Sequence, residues 1–256
     1  MRVDFGNTAQ DYATHRAGFP DSLFERLRAF GVGKPGQYVL DLGTGTGTLA
    51  RGFATRGCRV TGIDPSEQML EQARLMAGRE GIQVEFRVAR AEETGLAPMS
   101  ADAATAGQCW HWFDRARAAT ECRRVLNPSG ALAICHFDWI PTTGNVVAAT
   151  EALIVEHNPA WAFGGGNGMY PQWARDVADA GFEDIETFSY DVDVPYTHEA
   201  WRGRIRASAG VAASLPPDAV DAFDGELALL LAASFAGEPL AVPHRVWALV
   251  CRTPPE

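Results

Sequence analysis

Positive charge is in short supply in this sequence: 22 Lys and Arg stand against 32 Asp and Glu, a formal net charge of −10. A chain with that balance repels a nucleic-acid backbone unless a basic patch works against the overall field, and no basic run is present. No nucleic-acid partner is expected. Cysteines number five, at positions 58, 109, 122, 135 and 251, with no CxxC pair. An odd and scattered set supports neither a disulfide framework nor a zinc site, so no metal is expected, and a reducing cytoplasm is the expected compartment. Long apolar runs are missing too. The most apolar one, residues 227–236, falls well short of the ~20 residues that a membrane span requires, and the first residues lack a signal-peptide pattern. The expectation is a soluble protein with no membrane partner.

What the chain does have is enough material for one large core, with 256 residues of which 46% are hydrophobic. A single domain over residues 1–256 is expected. It is organised around the stretch Tyr38-Val39-Leu40-Asp41-Leu42-Gly43-Thr44-Gly45-Thr46-Gly47. An apolar run ends in an acid, glycines follow at every second position, and a helical pattern resumes at Leu49, Ala50 and Phe53. The pattern predicts a strand, a tight turn and a helix. Glycine suits such a turn because the backbone angles exclude a Cβ and because a ligand can then approach the main chain. The amides that open the helix face whatever sits above the turn, so a nucleotide-type ligand is the first candidate.

Residues 1–35 read as N-terminal lid or cover helices, with Leu23, Phe24, Leu27 and Phe30 at helical spacing. A second strand is predicted over 58–63, ending at Asp64, and Asp64-Pro65-Ser66-Glu67 reads as a helix start with Asp64 as the N-cap. Further strands are predicted over 82–88, 101–109 and 131–137, with a helix over 115–126. This alternation predicts an α/β fold, a doubly wound, mostly parallel Rossmann-like sheet with helices on both faces, whose cofactor-binding core is residues 36–138. Later strands are expected over 183–192 and 246–251. Residues 139–170 and 197–238 look like helical cap insertions. They carry Trp161, Phe163, Met169, Tyr170, Tyr196 and Trp201, aromatic and apolar surface that could roof a pocket.

Two ligands compete for the turn. Gly45-x-Gly47-x-x-Ala50 satisfies the dinucleotide fingerprint, and Asp64 lies near the offset of a ribose-binding acid. The carboxylate of Asp41, two residues before Gly43, favours instead a ligand bearing an ammonium or sulfonium and would repel a pyrophosphate. Three further segments extend the pattern: Ile63-Asp64-Pro65-Ser66-Glu67-Gln68-Met69-Leu70, Ala91-Glu92-Glu93-Thr94-Gly95-Leu96 and Gln108-Cys109-Trp110-His111-Trp112-Phe113-Asp114. In this order the motifs resemble those of class I S-adenosylmethionine-dependent methyltransferases, and are most similar to small-molecule enzymes of the ubiquinone-biosynthesis and trans-aconitate methyltransferase type.

The resemblance implies a seven-stranded sheet and S-adenosylmethionine as cofactor, with S-adenosylhomocysteine as product. It implies that Gly43, Gly45 and Gly47 pass under the methionine part, Asp64 binds the ribose hydroxyls, Met69 packs on adenine, and Ala91 and Glu92 line the adenine edge. Gln108 would lie near the methionine moiety. Tyr12 and Arg16 resemble lid residues of relatives with a similar N-terminal segment. Relatives often place an acid before the Ala-Glu pair, where this chain has Arg90. A NAD-dependent oxidoreductase and a S-adenosylmethionine-binding protein without transfer activity remain open alternatives. A hydroxyl or amine acceptor would need a base, and His111 and His136 sit after the fourth and at the end of the fifth predicted strand, with Trp110, Trp112 and Trp139 around them. The acceptor is expected to be a small molecule. Its identity and the oligomeric state are not encoded in any motif.

Overall fold

The computed structural model describes residues 18–255. Helix α1 (Asp21–Ala29) leads into β1 (Tyr38–Leu42), α2 (Thr48–Ala54), β2 (Arg59–Asp64), α3 (Glu67–Glu80) and β3 (Glu85–Val88). The chain continues through β4 (Ala101–Gly107), a 3₁₀ turn (Trp110–Trp112), α4 (Arg115–Val125) and β5 (Leu126–Trp139). After α5 (Val146–His157) come α6 (Trp173–Asp179), β6 (Glu183–Tyr196), α7 (His198–Arg206), α8 (Pro217–Ser234) and β7 (Leu240–Arg252). None of the described helices is long and apolar enough to cross a membrane.

The seven strands form one sheet in the order β3-β2-β1-β4-β5-β7-β6, with β1 parallel to both β2 and β4, and β2–β3 and β4–β5 also parallel. The fold is therefore the doubly wound α/β sheet that the sequence pattern predicts. The chain winds outward from β1 to β3 and then returns to lay β4 on the other side of β1. That reversal opens a crevice beyond the carboxyl ends of β1 and β4, the place where ligands bind in open α/β sheets. The central strands are buried on both faces, and β4 is built from alanines at 101, 103, 104 and 106 that let the covering helices come close.

By packing, the chain divides into two compact units. The larger comprises residues 18–137, 170–189 and 246–256, and its core gathers Leu40, Leu42, Ile63, Leu132 and Ile134 with Trp110, Trp173 and Trp247. The smaller includes residues 138–169 and 190–245. Its core is Val147, Ile154, Trp201, Phe223, Leu227 and Leu231, contributed by α5, α7 and α8.

Several elements differ from the sequence pattern. Helix α3 is capped by Ser66, whose hydroxyl accepts from the Met69 amide at 3.4 Å, and not by Asp64. The Asp64 carboxylate instead accepts from the amides of Ser66 at 2.9 Å and Gly45 at 3.0 Å, a turn-closing role that removes it from the helix and aims it at the glycine turn. Strands β6 and β7 run longer than predicted because alternating exposure along β6 weakens the local apolar signal. The 3₁₀ turn at Trp110 is not visible in any periodicity.

Gly52 illustrates how packing overrides propensity. In a helix interior, alanine is favoured over glycine by about 1 kcal/mol. A Cβ at position 52 would, however, lie 2.2 Å from Phe24, whose ring meets Phe53 edge-on at 5.1 Å. Gly52→Ala should therefore destabilise the fold by about 1–3 kcal/mol, the usual cost of overpacking. Urea denaturation of the two proteins checks this, and a gain in stability would show that Phe24 moves aside freely.

Candidate active site

The glycine turn is held from below by one carboxylate. Asp41 is 1% exposed, and its two oxygens accept from the hydroxyls of Thr44 at 2.6 Å and Thr105 at 2.7 Å. Thr105 is its register partner on β4, and Thr44 lies within the turn, so a single side chain joins strand, turn and neighbouring strand. Burial raises the Asp41 carboxyl to about 6, against the lowering effect of these hydrogen bonds, and the nearby Asp64 charge adds to the rise. Its effect on a ligand is that of a field, since the carboxylate is buried.

The turn itself depends on Gly43 and Gly47. Gly43 has φ 56°, and a Cβ there would come within 3.0 Å of Cys109 Sγ and of the Phe113 ring. Gly47, at φ 80°, is the left-handed residue from which α2 starts. Gly45, between them, would bring a Cβ only to van der Waals contact with Met69 Cε at 3.4 Å. Arg51 fixes the far side by donating to the Thr46 carbonyl and pairing with Glu80 at 3.0 Å. Asp64 closes the near side through the Gly45 amide, and burial raises its carboxyl above the ordinary value.

Beyond β3, Ala91 is buried and Glu92 is taken up by the Asp114 amide at 2.8 Å and by Arg90 at 3.4 Å. The unusual Arg90 is thus the ion-pair partner of the glutamate two residues on. Gln108 stands at φ 56°, a left-handed conformation that a non-glycine residue rarely takes, and it is bound by its amide to the Cys135 carbonyl at 2.8 Å and by its side chain to the Phe137 carbonyl. Strain of this kind concentrates where a side chain must be aimed. Cys109 is a thiol donor to the Leu42 carbonyl at 3.2 Å, with burial pushing its titration upward.

His111 sits on the exposed 3₁₀ turn, its ring 5.6 Å from that of His136. His136 is 2% exposed and lies against Tyr170 at 4.3 Å and Trp173 at 4.9 Å. Tyr170 stacks on Trp173 at 4.2 Å, and Trp247 meets both edge-on. Of the aromatics around the histidines, Trp110 is core, donating to Asp176 at 3.1 Å, whereas Trp112 is half exposed. Tyr170 belongs to this cluster and not with the other aromatics of the expected roof, among which Tyr196 and Trp201 are buried in the smaller unit and Phe163 and Met169 are exposed.

The structure thus brings Asp41, Gly43, Gly45, Gly47, Asp64 and Met69 together at the carboxyl end of β1 and β2. Gln108, His111 and His136 gather at the ends of β4 and β5. Tyr12 and Arg16 lie outside the described residues. Sequence reasoning missed Thr44, Thr105 and Arg51. A hydroxyl in a turn, another inside a strand and an arginine inside a helix carry no local signal of what they will meet.

Comparison with known proteins shows what this chain resembles. Residues 40–134 match the family described as "Methyltransferase domain". That stretch of the chain is similar to a methyltransferase domain. An uncharacterised methyltransferase of Mycobacterium tuberculosis is 32% identical over 153 residues, covering 57% of this chain and 60% of that protein. The ubiquinone biosynthesis O-methyltransferase of Xanthomonas campestris is 28% identical over 184 residues, covering 70% of this chain and 73% of the enzyme. The chain thus spans about 60% of the length of the first of these relatives. The fold is shared with Haemonchus contortus phosphoethanolamine N-methyltransferase 2, solved with phosphomonomethylethanolamine and S-adenosylhomocysteine, at 21% identity and a TM-score of 0.59 over 98% of this chain and 60% of that one. The matched methyltransferase segment contains the glycine turn, Asp64, Gln108 and His111, and ends just short of His136.

The raised Asp41 carboxyl has a consequence for pH dependence. Its unfolded-state value is 3.8 and its folded-state value about 6. Below 3.8 both states are protonated; between the two values the folded state holds the proton that the unfolded state has lost. Stability from this group therefore falls as pH rises across that window and levels off above 6, by roughly 3 kcal/mol at about 1.36 kcal/mol per pKa unit. In denaturation experiments between pH 4 and 7, the stability of wild type should fall relative to that of Asp41→Asn by up to about 3 kcal/mol as pH rises, the variant lacking this slope. Parallel pH profiles would contradict the buried-acid assignment.

Proposed function

We propose that this chain transfers a methyl group from S-adenosylmethionine to a small-molecule acceptor, leaving S-adenosylhomocysteine. The observation that carries the reading is Asp64, a half-buried carboxylate locked by the amides of Gly45 and Ser66 at the edge of the glycine turn. Two backbone donors orient it while leaving lone pairs for a pair of vicinal hydroxyls such as those of a ribose. The space beside Gly45 and Met69 fits the remainder, because no Cβ fills it and the methionine methyl supplies an apolar shelf. Two acids, Asp41 and Asp64, interact across this turn. Their field favours a ligand carrying ammonium and sulfonium charge and disfavours a pyrophosphate, which speaks against a dinucleotide. The Xanthomonas relative, an O-methyltransferase of ubiquinone biosynthesis, and the Haemonchus N-methyltransferase, solved with phosphomonomethylethanolamine, support a small acceptor here. The H. contortus enzyme has also been solved with S-adenosylmethionine.

When bound, S-adenosylmethionine supplies an already activated methyl carbon, so the residues of the chain have mainly to position the acceptor and take its proton. We assign His111 as the base for a hydroxyl or amine, since it is the imidazole that reaches solvent. His136 stands behind it as a second imidazole, fixed by Tyr170 and Trp173. Gln108 holds the end of β5 in place through the Phe137 carbonyl. Its rare backbone angle fits a side chain aimed next to the methionine moiety.

Two measurements test this. Calorimetric titration with S-adenosylhomocysteine should show Asp64→Ala binding weaker by ~1.5–3 kcal/mol per charge-assisted hydrogen bond lost, with the fold retained. Unchanged affinity would reduce Asp64 to closing the turn. In turnover assays with an acceptor found by screening phenols and amines, His111→Ala should keep cofactor affinity and lose ~10²–10⁴ in kcat, the loss shrinking above the acceptor's own pKa. Normal turnover across the pH range would exclude His111 as the base.

A further inference from the structure

Helix α7 carries three arginines, and they do not do the same thing. Arg202 and Arg206, four residues apart and so on one face, both bond Asp224 and both pair with Glu199 at 3.1 Å. Arg204 points elsewhere. Its guanidinium carbon lies 4.6 Å from the centre of the Trp139 ring, and among the described residues it has no carboxylate within ion-pair distance. A cation–π contact of this kind uses the charge of the guanidinium and does not consume its N–H donors.

The platform under it is rigid. Trp139 donates its indole N–H to Glu151 at 2.8 Å, and the other oxygen of the buried Glu151 accepts from the Gly165 amide at 2.8 Å. The Trp139 ring also meets Trp201 edge-on at 5.6 Å, and Trp201 is itself tied to Thr150 at 3.1 Å. Arg204 is half-buried, and burial works against its charge while Tyr196 and Asp138 favour it. A cation partly removed from water, placed over a fixed ring and given no bonded carboxylate by the described residues of its own unit is an acceptor-seeking group.

We propose that the smaller unit carries a carboxylate-binding site in which Arg204, placed over the Trp139 ring, is the recognition group. The fork of a guanidinium matches the two oxygens of a carboxylate. A single cation with the Asp138 charge nearby suits a monoanion and does not suit a phosphate dianion, which would need a second positive group. The site is read from the smaller unit alone and does not depend on the methyl-transfer assignment.

The test is titration of the full chain with benzoate and acetate, followed by tryptophan fluorescence and by calorimetry at constant ionic strength, with inorganic phosphate as the comparison anion. Wild type should show saturable binding of the carboxylates, tighter than that of phosphate. Arg204→Gln should weaken carboxylate binding by about tenfold or more, as expected for loss of a charge-assisted pair, with an unchanged thermal melt. Arg204→Lys, which keeps the charge and loses the fork, should fall between the two. Absence of saturable carboxylate binding in wild type, equal affinity in wild type and Arg204→Lys, or tighter binding of phosphate would overturn the proposal. The wild-type titration decides even if a variant fails to fold.

Discussion

The arrangement of the glycine turn depends on one buried carboxylate. Asp41 is the penultimate residue of β1, and its oxygens accept from a hydroxyl of the glycine turn and from another on the adjacent strand. Removing an acid from water is costly, and two hydroxyl donors recover only part of that cost, which is why its titration shifts upward. What the chain gains is definition. The β1–β4 register, the position of Thr44 and the path through Gly43 to Gly47 are all set by the same group, and the Gly45 amide is then handed to Asp64.

From that turn the rest of the site follows by topology. Reversal of the winding between β1 and β4 places Gln108 and the 3₁₀ turn with His111 just past the end of β4. The next strand brings His136 against Tyr170 and Trp173, with Trp247 on their edges. Aromatic faces that support an imidazole without enclosing its exposed neighbour give one rigid and one accessible histidine.

The central strand, the glycine turn and the acid after β2 were legible because their chemistry is local: an apolar run, alternating glycines and a fixed offset in the chain. The true cap of α3 was not, since Asp64 and Ser66 are both good capping residues and only the position of Gly45, 19 residues earlier, decides that Asp64 turns away. The contact of Tyr170 with His136 is hidden for a similar reason, because the fold brings together residues 34 positions apart and such a pairing leaves no trace in periodicity. Thr105 reads as an ordinary β-branched strand residue until β1 is laid beside it. The smaller unit was legible only as helical segments, because its core pairs α5, α7 and α8 across long loops.

A shared fold does not define chemistry, and the central claim is that the glycine turn holds S-adenosylmethionine and its product. Thermal unfolding of the full chain with S-adenosylhomocysteine and, separately, with NAD tests it most directly. A ligand bound only by the folded state stabilises it by RT ln(1 + [L]/Kd), about 2.7 kcal/mol at a hundredfold excess over Kd. The account predicts a concentration-dependent rise in Tm with S-adenosylhomocysteine and none with NAD; a rise with NAD and none with S-adenosylhomocysteine would contradict it.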